Sequence, residues 1–134
     1  MARFGLAIGL CLTFLGAGCN RGPAQPPPTP MASVTGKLTV DGKPAPTGEV
    51  HISQPGVPPS VLKVTDGSFA GNAPVGANIV EVYIYKEGPP NPRYPETPTK
   101  INTVSPKFWG PKTTLKAAVD AKKPTELKFD VTSQ

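Results

Sequence analysis

The sequence predicts an all-β domain, a single β-sandwich of about seven strands, and three observations carry that reading. Apolar and polar residues alternate at period two in seven short stretches, no stretch sustains a helical period, and turn dipeptides or prolines separate one stretch from the next. With 134 residues the chain holds one domain. Proline (19) and glycine (14) make up about a quarter of it, but the prolines cluster at 23–30, 44–46, 55–59 and 89–98 and leave the alternating stretches intact.

The elements follow in order. VTGKLTV places Val34, Leu38 and Val40 on one face and Thr35, Lys37 and Thr39 on the other. Asp41-Gly42 then turns the chain, because Asp-Gly readily takes the left-handed backbone that a tight hairpin needs. EVHIS turns Val50 and Ile52 inward and Glu49, His51 and Ser53 outward. VLKVT is a third strand, and DGSFAG supplies a second turn and a short strand carrying Phe69. The strongest strand signal lies over 79–86, with Val80, Val82 and Ile84 inward and Glu81, Tyr83 and Tyr85 outward. A long proline-rich loop is expected over 87–112. TTLKAAV and TELKFDVT complete the set, the latter burying Leu127, Phe129 and Val131.

The front of the chain has a different chemistry. After Arg3, an uncharged run of 15 residues extends from Phe4 to Gly18, which suits an export signal and falls short of the ~20 residues of a spanning helix. Gly16, Ala17 and Gly18 precede Cys19, as a peptidase that accepts only small side chains at its cut requires. Cutting at Cys11 instead would leave apolar LTFLGAG on the mature chain. In these features residues 1–18 resemble a bacterial lipoprotein signal peptide. That resemblance implies cleavage before Cys19, acylation of its sulfur with palmitate-type chains, and a membrane-anchored, extracytoplasmic place in the cell envelope. One departure is Gly16 at the position where the family usually has leucine, Leu15 standing one place further back. An ordinary secretory cut with release, or an uncleaved anchor, are the alternatives.

Each buried methylene of a lipid contributes ~0.8 kcal/mol, and two chains anchor stably where one does not. Residues 19–33 then form the lipidated cysteine and a linker: NRGPAQPPPTPMA has no hydrophobic periodicity, and at ~3.1 Å per residue its 13 residues reach up to roughly 40 Å in polyproline II. The domain proper is expected over 34–134.

Within that domain, VTGKLTVDGKPAPTGEVHI resembles the opening of carboxypeptidase regulatory-like domains, a glycine-bearing strand, a D-G-K-P turn and the next strand. VTDGSFAGNAPVGANIVEVYIY continues the pattern with a D-G-x-F turn and a long exit strand, and SPKFWGPKTTLKAAVDAKKPTELKFDV is similar to the tail of small lipoproteins of this kind in planctomycete-like bacteria. The resemblance implies a transthyretin-like sandwich acting as an envelope accessory or adhesion module without catalytic chemistry of its own.

The residues themselves offer little to a reaction. Both cysteines, Cys11 and Cys19, lie in the first twenty residues, so the domain has no thiol, and His51 is the one histidine. No metal site or cofactor is expected from so few ligands, and His51 beside Glu49 and Ser53 reads as a polar residue on a solvent-facing strand. The fold also hosts hydroxyisourate hydrolases, whose histidine-rich site and C-terminal tetrapeptide have no counterpart here, the chain ending in DVTSQ. The nine acidic residues are dispersed, and no glycine-rich phosphate loop is present. The net charge of +5 becomes +4 once Arg3 leaves with the leader, and the basic residues are scattered singly apart from Lys122-Lys123. That spacing argues against a nucleic-acid partner, which would need a basic stripe with stacking aromatics. The expected partners are the membrane, through the anchor, and an envelope glycan or protein. Tyr83, Tyr85, Tyr94 and Trp109 are the candidate ligand-binding residues, because exposed aromatics mark contact surfaces. The opposing expectation is that the long loop buries these rings, Trp109 foremost.

Overall fold

The alternation predicted from Val34 extends three residues further upstream: β1 spans Met31–Val40, and Met31, Ala32 and Ser33 already pair with Pro74, Ala73 and Asn72. The computed structural model of the chain describes residues 22, 23 and 25–134, so the export segment and Cys19 lie outside the described residues. Residues 25–30 carry no regular secondary structure before β1 begins.

The remaining strands are β2 (Lys43–Pro44), β3 (Thr47–Ser53), β4 (Ser60–Thr65), β5 (Ser68–Pro74), β6 (Gly76–Tyr83), β7 (Tyr85–Asn91), β8 (Tyr94–Asn102), β9 (Lys116–Val119) and β10 (Thr125–Val131). Seven of them form one hydrogen-bonded path, β10-β1-β5-β4-β3-β6-β9, with the two-residue β2 paired back onto β1. These seven are the strands the alternation predicts. β10 runs parallel to β1, so the last strand of the chain closes onto the first, Leu38 standing opposite Phe129.

The path curls into two layers at its middle. β4 and β5 pair only through Val64–Phe69 and Thr65–Ser68, beside their turn, and diverge beyond it. The inward residues of β10, β1 and β5 therefore meet those of β4, β3, β6 and β9 in one core. Val34, Leu38, Val50, Ile52, Val80 and Val82 are fully buried there. This is a β-sandwich.

Both Asp-Gly dipeptides form two-residue hairpin turns with positive φ at each position: 50° and 80° at Asp41-Gly42, 49° and 74° at Asp66-Gly67. That conformation matches the strand twist and favours glycine second. The surroundings of the two glycines differ. A Cβ on Gly42 would meet open space, whereas one on Gly67 would lie 2.7 Å from Pro44 Cβ and 3.2 Å from the Leu38 carbonyl oxygen. Gly67 also donates its N–H to the Ala45 carbonyl at 2.6 Å and accepts the Leu38 N–H at 2.8 Å. Thermal denaturation is accordingly expected to show Gly42→Ala losing about 1 kcal/mol, the left-handed strain alone, and Gly67→Ala at least twice that.

The structure corrects two expectations. The strand predicted over 79–86 breaks after Tyr83. The Asn102 side-chain oxygen takes the Ile84 N–H at 3.0 Å, and Thr103 donates its N–H and hydroxyl to the Ile84 carbonyl, which peels the chain off the sheet. Tyr85 then starts a second, two-stranded sheet in place of the loop expected over 87–112. In a two-stranded ribbon each strand is an edge, so prolines cost no ladder bond where their nitrogens face solvent. Pro90 still shifts the register on both sides of itself. At the tip, the Asn91 side-chain oxygen accepts the Arg93 N–H at 2.9 Å and holds the turn. After the arm come two single-turn 3₁₀ helices, Pro106–Phe108 and Gly110–Lys112.

Candidate functional site

The outer face of the β4-β3-β6 layer brings together residues far apart in the chain. Register places Glu49 between Lys63 and Tyr83, and His51 between Val61 and Glu81. Side chains two residues apart on one strand share a face and interact along it. His51 Nε2 lies 3.0 Å from Glu49 Oε2, and the Tyr83 hydroxyl donates to Glu81 Oε2 at 3.3 Å. His51 and Tyr83 are diagonal neighbours across β3–β6, with ring centroids 4.7 Å apart.

Two elements outside the layer add to this face. Tyr85, at the foot of the arm, stacks on Tyr83 with centroids 5.9 Å apart and planes 20° apart. Trp109, between the two 3₁₀ turns, lies with its ring centroid 6.2 Å from that of Tyr83 and donates its indole N–H to the Val104 carbonyl at 2.8 Å. Of the four candidate aromatics, the structure thus brings together Tyr83, Tyr85 and Trp109. Tyr94 is 66% exposed and pairs with Asn91 at the tip of the arm, the end opposite to Tyr85 and its stack. The burial expected of Trp109 falls instead to its neighbour: Phe108 is buried in the core, while Trp109 is half-buried at its margin.

Burial pushes the Tyr83 phenol above its ordinary pKa of 10.0, and the charge of Glu81 and the hydrogen bond to it act in the same direction. Burial does the same to Tyr85, with the Glu49 carboxylate adding to it. A pKa raised by folding favours the neutral phenol in the native state. Below the ordinary value both native and unfolded phenols are neutral and stability is intact; above it the unfolded chain ionises first and stability falls until the native pKa is passed. Denaturant titrations on either side of pH 10 are expected to show this alkaline loss, and Tyr83→Phe to reduce it.

An open groove of ≈ 360 Å³ lies where the arm meets β3 and β4, lined by Thr47, Glu49, Lys63, Thr65, Tyr85 and Lys100. Lys100 comes from β8, with its Nζ 5.7 Å from the centre of the Tyr85 ring. A wider depression of ≈ 590 Å³ between the ends of β9 and β10 is lined by residues such as Ala118, Asp120, Lys123 and Glu126 and has no aromatic wall. Sequence reasoning missed Lys63, Lys100 and Thr47 as site residues. Lys63 is exposed on β4, but only the register and the arm show which outward residues share a groove with it. Among the described residues no group of three or more His, Cys, Asp or Glu side chains is placed to hold a metal ion.

No protein-family model matches the chain, and no curated protein does. Among solved structures, the chain is similar to a DUF3823 family protein from Parabacteroides merdae ATCC 43184, at a TM-score of 0.40 and 17% identity. The match covers 79% of this chain and 48% of that one, so the chain spans about half the length of that protein. At that level the likeness says nothing of function.

Proposed function

We propose that this chain is an exported, lipid-anchored, non-enzymatic module of the cell envelope, a β-sandwich of the carboxypeptidase regulatory-like kind carried on a proline spacer. The observation that supports it is the order of chemistry along the first 31 residues: an apolar export run, Cys19 behind three small residues, a proline tract, then the first paired strand. The geometry of the domain suits display. The Pro30 carbonyl accepts the Val75 N–H at 2.9 Å, so the spacer joins the sandwich beside the start of β6. Tyr83 is at the other end of that strand, about 23 Å away at ~3.3 Å per residue. A spacer leading from Cys19 would therefore enter the sandwich at the end of β6 opposite to Tyr83. Against a catalytic role, His51 bonds to Glu49 and to no serine hydroxyl among the described residues, and a nucleophile needs its base within hydrogen-bond reach.

Intact-mass measurement with detergent partitioning, on the native chain and on Cys19→Ala, tests the tether. The expected result is a chain beginning at Cys19 with added acyl mass, and a variant that leaves the detergent phase. An unacylated chain released to the medium would overturn the reading.

A second reading is favoured by the stack of Tyr83, Tyr85 and Trp109: a glycan- or peptide-binding module using the aromatics of 79–86 and 87–112. A glycan array probed with the native chain and with a Tyr83→Ala/Tyr85→Ala variant separates it from a purely structural role.

A further inference from the structure

We propose that the groove at the foot of the arm binds an acidic sugar, a uronic-acid residue of an anionic glycan, with Lys63 and Lys100 holding its carboxylate. The inference deepens the second reading above and rests on it.

Its first support is a pair of cations with no anion. Lys63 stands directly opposite Glu49 across β3–β4, the position from which an ion pair would form. Glu49 instead turns along its own strand to His51, at 3.0 Å. Lys100 stands opposite Glu87 in the arm, yet its Nζ lies over the Tyr85 ring. The ion pairs among the described residues are His51–Glu49 and Lys128–Glu126, so neither lysine has a carboxylate within 4.0 Å. Both lysines line the same groove. Two ammonium groups on one concave surface, each left by the carboxylate opposite it, form a site for an anion from outside.

The other walls say what kind of anion. Glu49 also lines the groove, and a carboxylate only accepts hydrogen bonds. It would repel a ligand that is anionic throughout, such as a phosphate, and would accept from hydroxyl groups. Thr47 and Thr65, opposite each other across β3–β4, add two exposed hydroxyls that both donate and accept. The complementary ligand carries one carboxylate and a row of hydroxyls on a compact frame, which describes a uronic acid. An acidic peptide would satisfy the lysines but offers no hydroxyl row to Glu49 and the threonines. The volume, ≈ 360 Å³, falls within the ~300–1,000 Å³ usual for small-ligand sites.

Tyr85 gives the site its mechanism. Tyr85 is 41% exposed, its ring is backed by Tyr83, and Lys100 Nζ lies 5.7 Å from the ring centre. At that distance an exposed lysine is held weakly. When Lys100 swings to a ligand carboxylate, the ring face it covered opens to the C–H face of the sugar. One side-chain movement supplies both the charge contact and the stacking contact.

Titration calorimetry of the full chain tests this with three probes: an oligogalacturonate, the neutral galactose oligomer and an oligoglutamate peptide. The expected result is that oligogalacturonate binds, more weakly as salt rises, and that Lys63→Gln and Lys100→Gln each weaken it about ten-fold. Both lysines are exposed, so unchanged melting of the variants checks that they fold. Equal binding of the neutral oligomer, indifferent to the lysine variants but lost in Tyr85→Ala, would overturn the acidic-sugar assignment and keep the aromatic face as a glycan site. Binding of oligoglutamate in place of the oligogalacturonate would overturn the sugar assignment. Binding of none of the three would overturn the inference, and an empty glycan array would then remove the second reading as well.

Discussion

Gly36→Ala is expected to cost about 3 kcal/mol of unfolding free energy, at the upper end of what one inserted methyl does to a packed core. Gly36 sits on the inward face of β1 between Val34 and Leu38, opposite Phe69 on one side and Leu127 on the other. The Phe69 ring lies across it: a Cβ would run into Phe69 Cζ, reach within 2.8 Å of Phe69 Cε1, and stand 2.5 Å from the Leu127 carbonyl oxygen. The ring could tilt away, but the carbonyl is part of the β1–β10 ladder and moves only with β10. In a domain of about 100 residues the loss lowers the melting temperature by about 15 °C. Gly71→Ala is the control, because its Cβ would meet only the Leu62 side chain, whose tip can rotate away. A Gly36→Ala variant melting no lower than Gly71→Ala would show that Phe69 does not pack over β1 as described.

Phe69→Ala is expected to cost about 3–5 kcal/mol, the range for emptying a buried phenylalanine site. Phe69 is 4% exposed, stacks against Phe129 at 6.1 Å with planes 10° apart, and pairs with Val64 where the path passes from one layer to the other. Its removal opens a cavity bounded by the backbone at Gly36 and the β4–β5 corner and by the Phe129 ring, so only one ring can shift to fill it. The two substitutions are expected to couple. With the ring gone, the alanine methyl at position 36 enters part of the space vacated, while its approach to the Leu127 carbonyl remains. The double variant should therefore lose less than the sum of the single losses. Urea denaturation of the four proteins measures the difference, and strict additivity would refute the contact.

The same residues show which features are legible from a sequence. Strand faces follow from alternation because side chains of an extended chain point to opposite sides in turn, whatever the rest of the molecule does. Of the inward positions set that way, Val34, Leu38, Val50, Ile52, Val80, Val82, Leu127, Phe129 and Val131 are buried, while Val40 and Ile84 are only partly buried. Asp41-Gly42 and Asp66-Gly67 are equally local, because the left-handed conformation they adopt is a property of the two residues themselves. The prolines of the arm hide its strands from the sequence: in a central strand they would end pairing, and only the isolation of β7 and β8 from the main sheet makes them tolerable.

The sequence by itself determined the sandwich class, its seven principal strands and the outward placement of Tyr83, because each depends on residues close together in the chain. The tertiary structure alone decided the break at Ile84, the burial of Phe108 ahead of Trp109, and the company of Lys63, Lys100 and Tyr85 in one groove. Those outcomes depend on register and on which strands meet. Lys63 loses its opposite carboxylate only because β3 carries His51 two residues from Glu49, and meets Lys100 only because Lys100 stands at the foot of the arm, where the arm meets β3 and β4. Alternation tells a side chain which face to take; long-range pairing tells it which neighbours it will have there.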